Sequence, residues 1–101
     1  MLTVEEFLNS HKSCKFMLIS VAKGSGVLGS TSILTYKDKD AILNTFRNDE
    51  IKGISLSLDG KVICVYFEDL DPRKINSFTK TRLNNKYKTL NNKILVAINN
   101  S

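Results

Sequence analysis

The chain lacks tryptophan, has one proline and one histidine, and carries no acidic side chain after Asp71. Each shortage excludes something. The two cysteines, Cys14 and Cys64, stand fifty residues apart with His11 as the only imidazole, so the usual closed zinc shell of nitrogen and sulfur ligands cannot be assembled. Their settings, Phe16-Met-Leu-Ile19 and Val62-Ile-Cys-Val65, are apolar and strand-like. They read as small hydrophobes in a reducing compartment rather than as a disulfide. His11 falls on the apolar side of a predicted helix, and no serine or cysteine has a recognisable base beside it. Neither an enzyme nor a cofactor is expected. No apolar run nears the roughly 20 residues a membrane span needs, and Met1-Leu-Thr-Val-Glu-Glu6 puts acids where a secretory leader carries bases. The expectation is a cytoplasmic chain without membrane insertion. With one proline there is no linker, and 101 residues at 42% hydrophobic and 25% charged suit one globular domain, 1–101.

What is present alternates between helix and strand signals. Thr3 and Glu6 form a capping box, Leu2 is placed to staple onto Phe7, and Val4, Phe7, Leu8 and His11 share a helical face. A strand is expected over Lys15 to Ala22, followed by a flexible Gly-rich loop over 23–30. Thr31 to Tyr36 can form a second strand. Asp38 or Asp40 can cap a short helix, Asp40 to Asn48, bearing Ile42, Leu43 and Phe46.

Between Lys52 and Leu58, Ile54, Leu56 and Leu58 alternate with Gly53, Ser55 and Ser57. Asp59-Gly60 then gives a hairpin signal in which both turn positions favour positive φ. The returning strand, Lys61 to Phe67, is apolar on both faces, which places it centrally or under cover on both sides. Asp71 and Pro72 open a last helix with Ile75, Phe78, Leu83, Tyr87 and Leu90 as a broad apolar face, fraying near Asn84-Asn85. Lys93 to Ile98 reads as a closing strand or a packed tail. The fold class is α+β: an antiparallel sheet with N- and C-terminal helices packed on one face. Its core is α-β-β-β-α, with room for an extra strand and short helix at 31–48.

Gly24-Ser-Gly-Val-Leu-Gly29 matches G-x-G-x-x-G, but a dinucleotide site needs that motif to open a helix whose N-terminus receives phosphate. The following Ser-Thr-Ser-Ile-Leu-Thr35 is β-prone. Extended to Thr31, the stretch also approaches a phosphate-binding loop, with Ser30 where the lysine must stand. A loop is the better reading, and no small-molecule substrate is expected. Glu68, Asp69 and Asp71 cluster beside a helix start, where the dipole stabilises negative charge without any catalytic role.

The charge is polarised. Arg73, Lys74, Lys80, Arg82, Lys86, Lys88 and Lys93 lie in the basic segment 72–101, whereas the first 71 residues hold eight bases against all ten acids. Such a distribution attracts polyanions, nucleic acid being the commonest, although twelve lysines and ten asparagines give the same skew through composition alone. Projected at about 100° per residue, the bases surround the helix instead of forming a stripe, which suits diffuse phosphate contact over base readout. Ser55 and Ser57, with Lys52 and Lys61 at the strand ends, offer a second surface for phosphate or sugar.

Three stretches, Glu5-Glu-Phe-Leu8, Asp59-Gly-Lys-Val-Ile-Cys-Val65 and Ile75-Asn-Ser-Phe78, resemble the E-x-F-L, D-G-K-I-x-x-V-V and V-N-K-F segments of the fourteen-kilodalton Alu-domain subunit of the signal recognition particle. The likeness spans most of the chain and is strongest from Ile54 to Leu90. It departs at Leu56, where the family has a base, and at Ala22-Lys23-Gly24, where it has a basic–aromatic pair. The resemblance implies a heterodimer with the homologous nine-kilodalton subunit and paired sheets that clasp folded Alu-type RNA. It also implies indirect action on the ribosome, slowing elongation during targeting. Under that reading Lys23, Lys61, Arg73 and Lys74, then Lys52 and Lys37, contact RNA phosphates. The rival reading is a non-enzymatic protein-interaction module of profilin-like or longin-like form, to which an α-β-β-α-β-β-α-β order would come close. A small viral or phage protein with a host partner is a third. An ordered strand and helix over 31–48 favours the interaction module, and a disordered loop there favours the particle subunit.

Overall fold

The computed structural model describes residues 2–24 and 26–99. In chain order the elements are β1 (Leu2–Thr3), α1 (Val4–Ser10), β2 (Lys15–Val21), β3 (Val27–Ser30), a 3-10 turn (Tyr36–Asp38), α2 (Lys39–Phe46), β4 (Glu50–Ile51), β5 (Gly53–Leu56), β6 (Val62–Glu68) and α3 (Pro72–Asn99). The fold is α+β. Four strands form the main sheet in the order β3-β2-β6-β5, and β1 with β4 makes a two-stranded ribbon. The outer pairs are antiparallel, but the central pair, β2 and β6, runs parallel from Lys15↔Val62 to Val21↔Glu68. A parallel pair needs a crossover; α2 lies within it, on the same face of the sheet as α1 and α3.

Thr3 caps α1 by accepting the Glu6 amide at 3.1 Å. Val4, Phe7 and Leu8 are buried. His11 closes this helix, stacking on Phe7 at 4.3 Å and donating from Nδ1 to the Phe7 carbonyl at 2.8 Å, a structural role. The core is one cluster to which all three helices contribute. Phe16 and Leu18 from β2 and Val65 and Phe67 from β6 meet Ile42 and Phe46 of α2 and Ile75 and Phe78 of α3. Phe46 is its hub, with ring centroids 6.1 Å from Phe67 and 5.2 Å from Phe78. Two buried hydroxyls are fully partnered: Ser20 Oγ donates to the Leu70 carbonyl at 2.6 Å, and Thr31 Oγ1 accepts from the Leu18 amide at 3.0 Å.

Several sequence expectations shift by a few residues. The loop of 23–30 is a hairpin. Gly24 and Gly26 take φ of 95° and 81°, Ala22 N donates to Gly26 O at 2.9 Å, and Val27–Ser30 is strand. The strand expected over Thr31–Tyr36 therefore begins earlier, and only Leu34 still bridges Phe16. Gly29 lies beside Pro72 at the start of α3. The short helix within 31–48 is ordered, as Lys39–Phe46. At the Asp59-Gly60 turn only Gly60 has positive φ, 70°, and the Ser57–Gly60 turn closes with Gly60 N donating to Ser57 O. The closing strand at Lys93–Ile98 is replaced by helix: α3 runs unbroken through Asn84-Asn85 to Asn99. Nothing after Pro72 can break it, as no further proline and no glycine follows.

Candidate interaction surfaces

The six expected RNA contacts do not converge on one surface. Lys23, Lys52, Arg73 and Lys74 gather where the C-terminal ends of β2 and β6 meet the start of α3. Half of the chain's acids gather there too: Asp49, Glu50, Glu68, Asp69 and Asp71 border one shallow cleft with Lys52 and Lys74. Lys52 pairs with Glu50 at 3.2 Å, Arg73 with Asp71 at 2.9 Å and Lys74 with Asp49 at 2.5 Å. Asp69, at φ 55°, accepts the Lys23 amide at 3.0 Å. The Arg73 side chain holds the Asp71 carboxyl below the ordinary aspartate range. A phosphate approaching this end meets Lys52, Arg73 and Lys74 already engaged by carboxylates.

Lys61 lies at the other end of the parallel pair, on the turn before β6 and next to Lys15 through the Lys15↔Val62 pairing. Asp59 organises that turn, accepting from Ser57 Oγ at 2.6 Å and Lys61 N at 3.0 Å, and these bonds hold its carboxyl below the ordinary range. Lys37 borders an open groove of 1050 Å³ between α2 and α3 with Asp38, Asp40, Asn44 and Lys86. Opposite charges interleave there. Among the described residues no three His, Cys, Asp or Glu side chains converge as a metal site. No helix among them is long and apolar enough to cross a membrane.

Of the seven bases in α3, three are tied to the body. Besides Arg73 and Lys74, Arg82 donates from Nε to Asp38 Oδ1 at 2.9 Å and from Nη1 to Ser32 Oγ at 3.1 Å. Lys80, Lys86, Lys88 and Lys93 stand exposed on the rest of the helix.

Apolar surface is more organised than charge. In β2, Phe16, Leu18 and Ser20 point to the core, leaving Met17, Ile19 and Val21 half-buried on the opposite face. Cys64 and Tyr66 of β6 lie beside Met17 and Ile19 by register. Ser55 of β5 joins them and shares a 3.0 Å hydrogen bond with the Tyr66 hydroxyl. A sheet with one solvated face normally alternates apolar and polar residues. This sheet is apolar on its open face as well, because every helix packs on the other one.

A second apolar row runs along the edge strand into its turn, where Ile54, Leu56 and Leu58 are 43%, 64% and 111% exposed. A third lies on α3: beyond Arg82, Leu83, Tyr87, Leu90 and Ile94 are all exposed. The sequence grouped Leu83, Tyr87 and Leu90 with the buried Ile75 and Phe78, but they occupy a different side. A rotation of about 110° between the two sets was the available signal.

No protein-family model matches the chain, and no curated protein or solved structure is detectably similar to it.

Proposed function

We propose that this chain is a non-catalytic, cytoplasmic protein-interaction module whose partner covers the open face of the sheet. The observation that carries this reading is the half-buried apolar patch of Met17, Ile19, Val21, Cys64 and Tyr66 on the face opposite all three helices. Contiguous apolar surface of this kind marks binding sites on otherwise soluble domains. The ordered helix Lys39–Phe46 supports the profilin-like or longin-like alternative over an α-β-β-β-α particle subunit, while the strand before it is reduced to the Leu34–Phe16 bridge and the closing strand is helix.

The second reading is an RNA-binding subunit of the Alu domain of the signal recognition particle, paired with a homologous nine-kilodalton chain. It is supported by the exposed Lys80, Lys86, Lys88 and Lys93 on an acid-free helix. Six phosphate contacts would cost about three decades of affinity between low and moderately raised salt.

Cys64 separates the two readings because it is a free, half-buried thiol in the middle of the open face. A photoreactive maleimide on Cys64, in a Cys14→Ser background, is irradiated in cell extract. Adducts that survive nuclease support the docking module. Adducts destroyed by nuclease, with tight binding to Alu-type RNA over a size-matched hairpin, favour the particle subunit. A chain that forms neither adduct removes the open face from consideration.

A further inference from the structure

The projecting half of α3 carries a repeat that neither reading above uses. Leu83, Tyr87, Leu90, Ile94 and Ala97 follow each other at spacings of four, three, four and three, and all five are exposed. These are the a and d positions of a coiled-coil seam, starting at a d. At about 100° per residue they fall within about 80° of arc, narrower than the ≳ 100° stripe of a helix lying on a broad apolar layer. The seam is about 21 Å long, and its form suits another helix better than a lipid surface.

None of the five seam side chains is buried against the chain's own body. Arg82 anchors the helix to the body through Asp38 and Ser32, and every described side chain from Leu83 onward is exposed. It is also poor in intrinsic helix preference, with Asn84, Asn85, Asn91 and Asn92 in its length. Isolated helices this short are marginal in water, and most helical stability comes from packing an apolar face. A partner along the seam would supply that packing.

The flanks identify the partner's chemistry. Lys86 and Lys93 occupy the two g positions, and Asn84 and Asn91 occupy the matching e positions, in a helix with no acidic residue from Pro72 onward. A second copy gains no ion pair in either orientation: antiparallel pairing sets Lys against Lys, and parallel pairing sets Lys86 against Asn91. Flanking charges choose the partner in such seams. We propose that the seam Leu83–Tyr87–Leu90–Ile94 docks an acidic amphipathic helix of a different protein, with carboxylates opposite Lys86 and Lys93. This site is separate from the open sheet face and stands independently of what covers that face.

The test uses the full chain and a labelled three-heptad peptide with leucine at a and d and glutamate at e and g, followed by anisotropy. A control peptide carries lysine at e and g. The acidic peptide is expected to bind at least about tenfold tighter than the control, and Leu90→Asp to remove that binding with the body's Tm unchanged. The double variant K86E/K93E should invert the preference, which a general loss of folding could not do. Equal binding of both peptides, or binding of neither, overturns the proposal. So does a concentration-dependent dimer by light scattering that Leu90→Asp abolishes. Pelleting with phosphatidylcholine–phosphatidylserine vesicles in place of peptide binding overturns it as well.

Discussion

Arg82 reaches across 44 residues of sequence to Asp38, Nε to Oδ1 at 2.9 Å, and so fixes the point at which the long helix leaves the body. The pair is partly shielded, with side-chain exposures of 31% and 20%. The same carboxylate accepts the Thr35 amide at 3.1 Å, so one aspartate joins the 3-10 turn to α3. Arg82→Ala is expected to cost about 1–2 kcal/mol, more than a surface ion pair and less than a core truncation. Urea unfolding would show this as a lower midpoint with an unchanged slope. Hydrogen exchange would accelerate first at Ser77–Arg82.

Phe46 is fully buried between Phe67 and Phe78, and its ring carries the Lys74 ammonium 5.6 Å from its centroid. Phe46→Ala leaves a cavity where sheet, α2 and α3 meet. A loss of about 3–5 kcal/mol is expected, a large share of the stability of any small domain. Phe46→Leu should recover much of it. Thermal melts of the two variants beside the parent decide the point.

Ser20 and Leu70 are joined by a 2.6 Å hydrogen bond in the buried end of the sheet. Ser20→Ala removes the donor and leaves the Leu70 carbonyl unpaired, at an expected cost of about 1–3 kcal/mol. Its effect should concentrate on the junction between β6 and α3, seen as faster amide exchange at Asp71–Lys74.

The Asp59 carboxyl titrates below its unfolded value because the Ser57 hydroxyl and the Lys61 amide bond to its charged form. A depressed carboxyl contributes stability that is present above the unfolded pKa and is lost as pH falls through the folded one. The turn before β6 should therefore loosen in acid below the ordinary aspartate range and stay intact at neutral pH. NMR titration of the Asp59 side chain, with exchange of the Val62 amide that donates to Ser57 Oγ, follows both events. Asp59→Asn should flatten the acid dependence at this turn.

Local chemistry was legible wherever a signal lay within one turn or hairpin. Thr3 and Glu6 located the first helix, Asp71 and Pro72 the last, and the double apolarity of Val62–Phe67 placed β6 at the centre of the sheet. The direction of its neighbour was hidden, because the register of Lys15 on Val62 depends on packing between segments far apart in the chain. The strand Val27–Ser30 was hidden for a different reason: Gly29 was read as a loop residue, whereas it lies in the strand paired with Ser20. Leu83 and its successors have the same residue types as a core face. They stand about 110° round the helix from Ile75 and Phe78 and beyond Arg82, where α3 outruns the body. Its 28 residues span about 42 Å, in a molecule 57 Å long and 28 by 26 Å across.

The placement of β6 also sets the order in which this molecule can be made. It is the last strand in sequence, yet it lies between β2 and β5. Until Phe67 has been synthesised, the β2–β3 hairpin and β5 have no common neighbour, and Phe46 lacks the Phe67 and Phe78 rings it packs between. Contacts of such long sequence separation are slow to form. A nascent chain thus leaves the inner edges of β2 and β5 unpaired until almost the whole body has left the ribosome, and then closes around one late-arriving segment. During that interval Lys12, Lys15 and Lys23, flanking β2, are the charges that keep it from pairing with another chain.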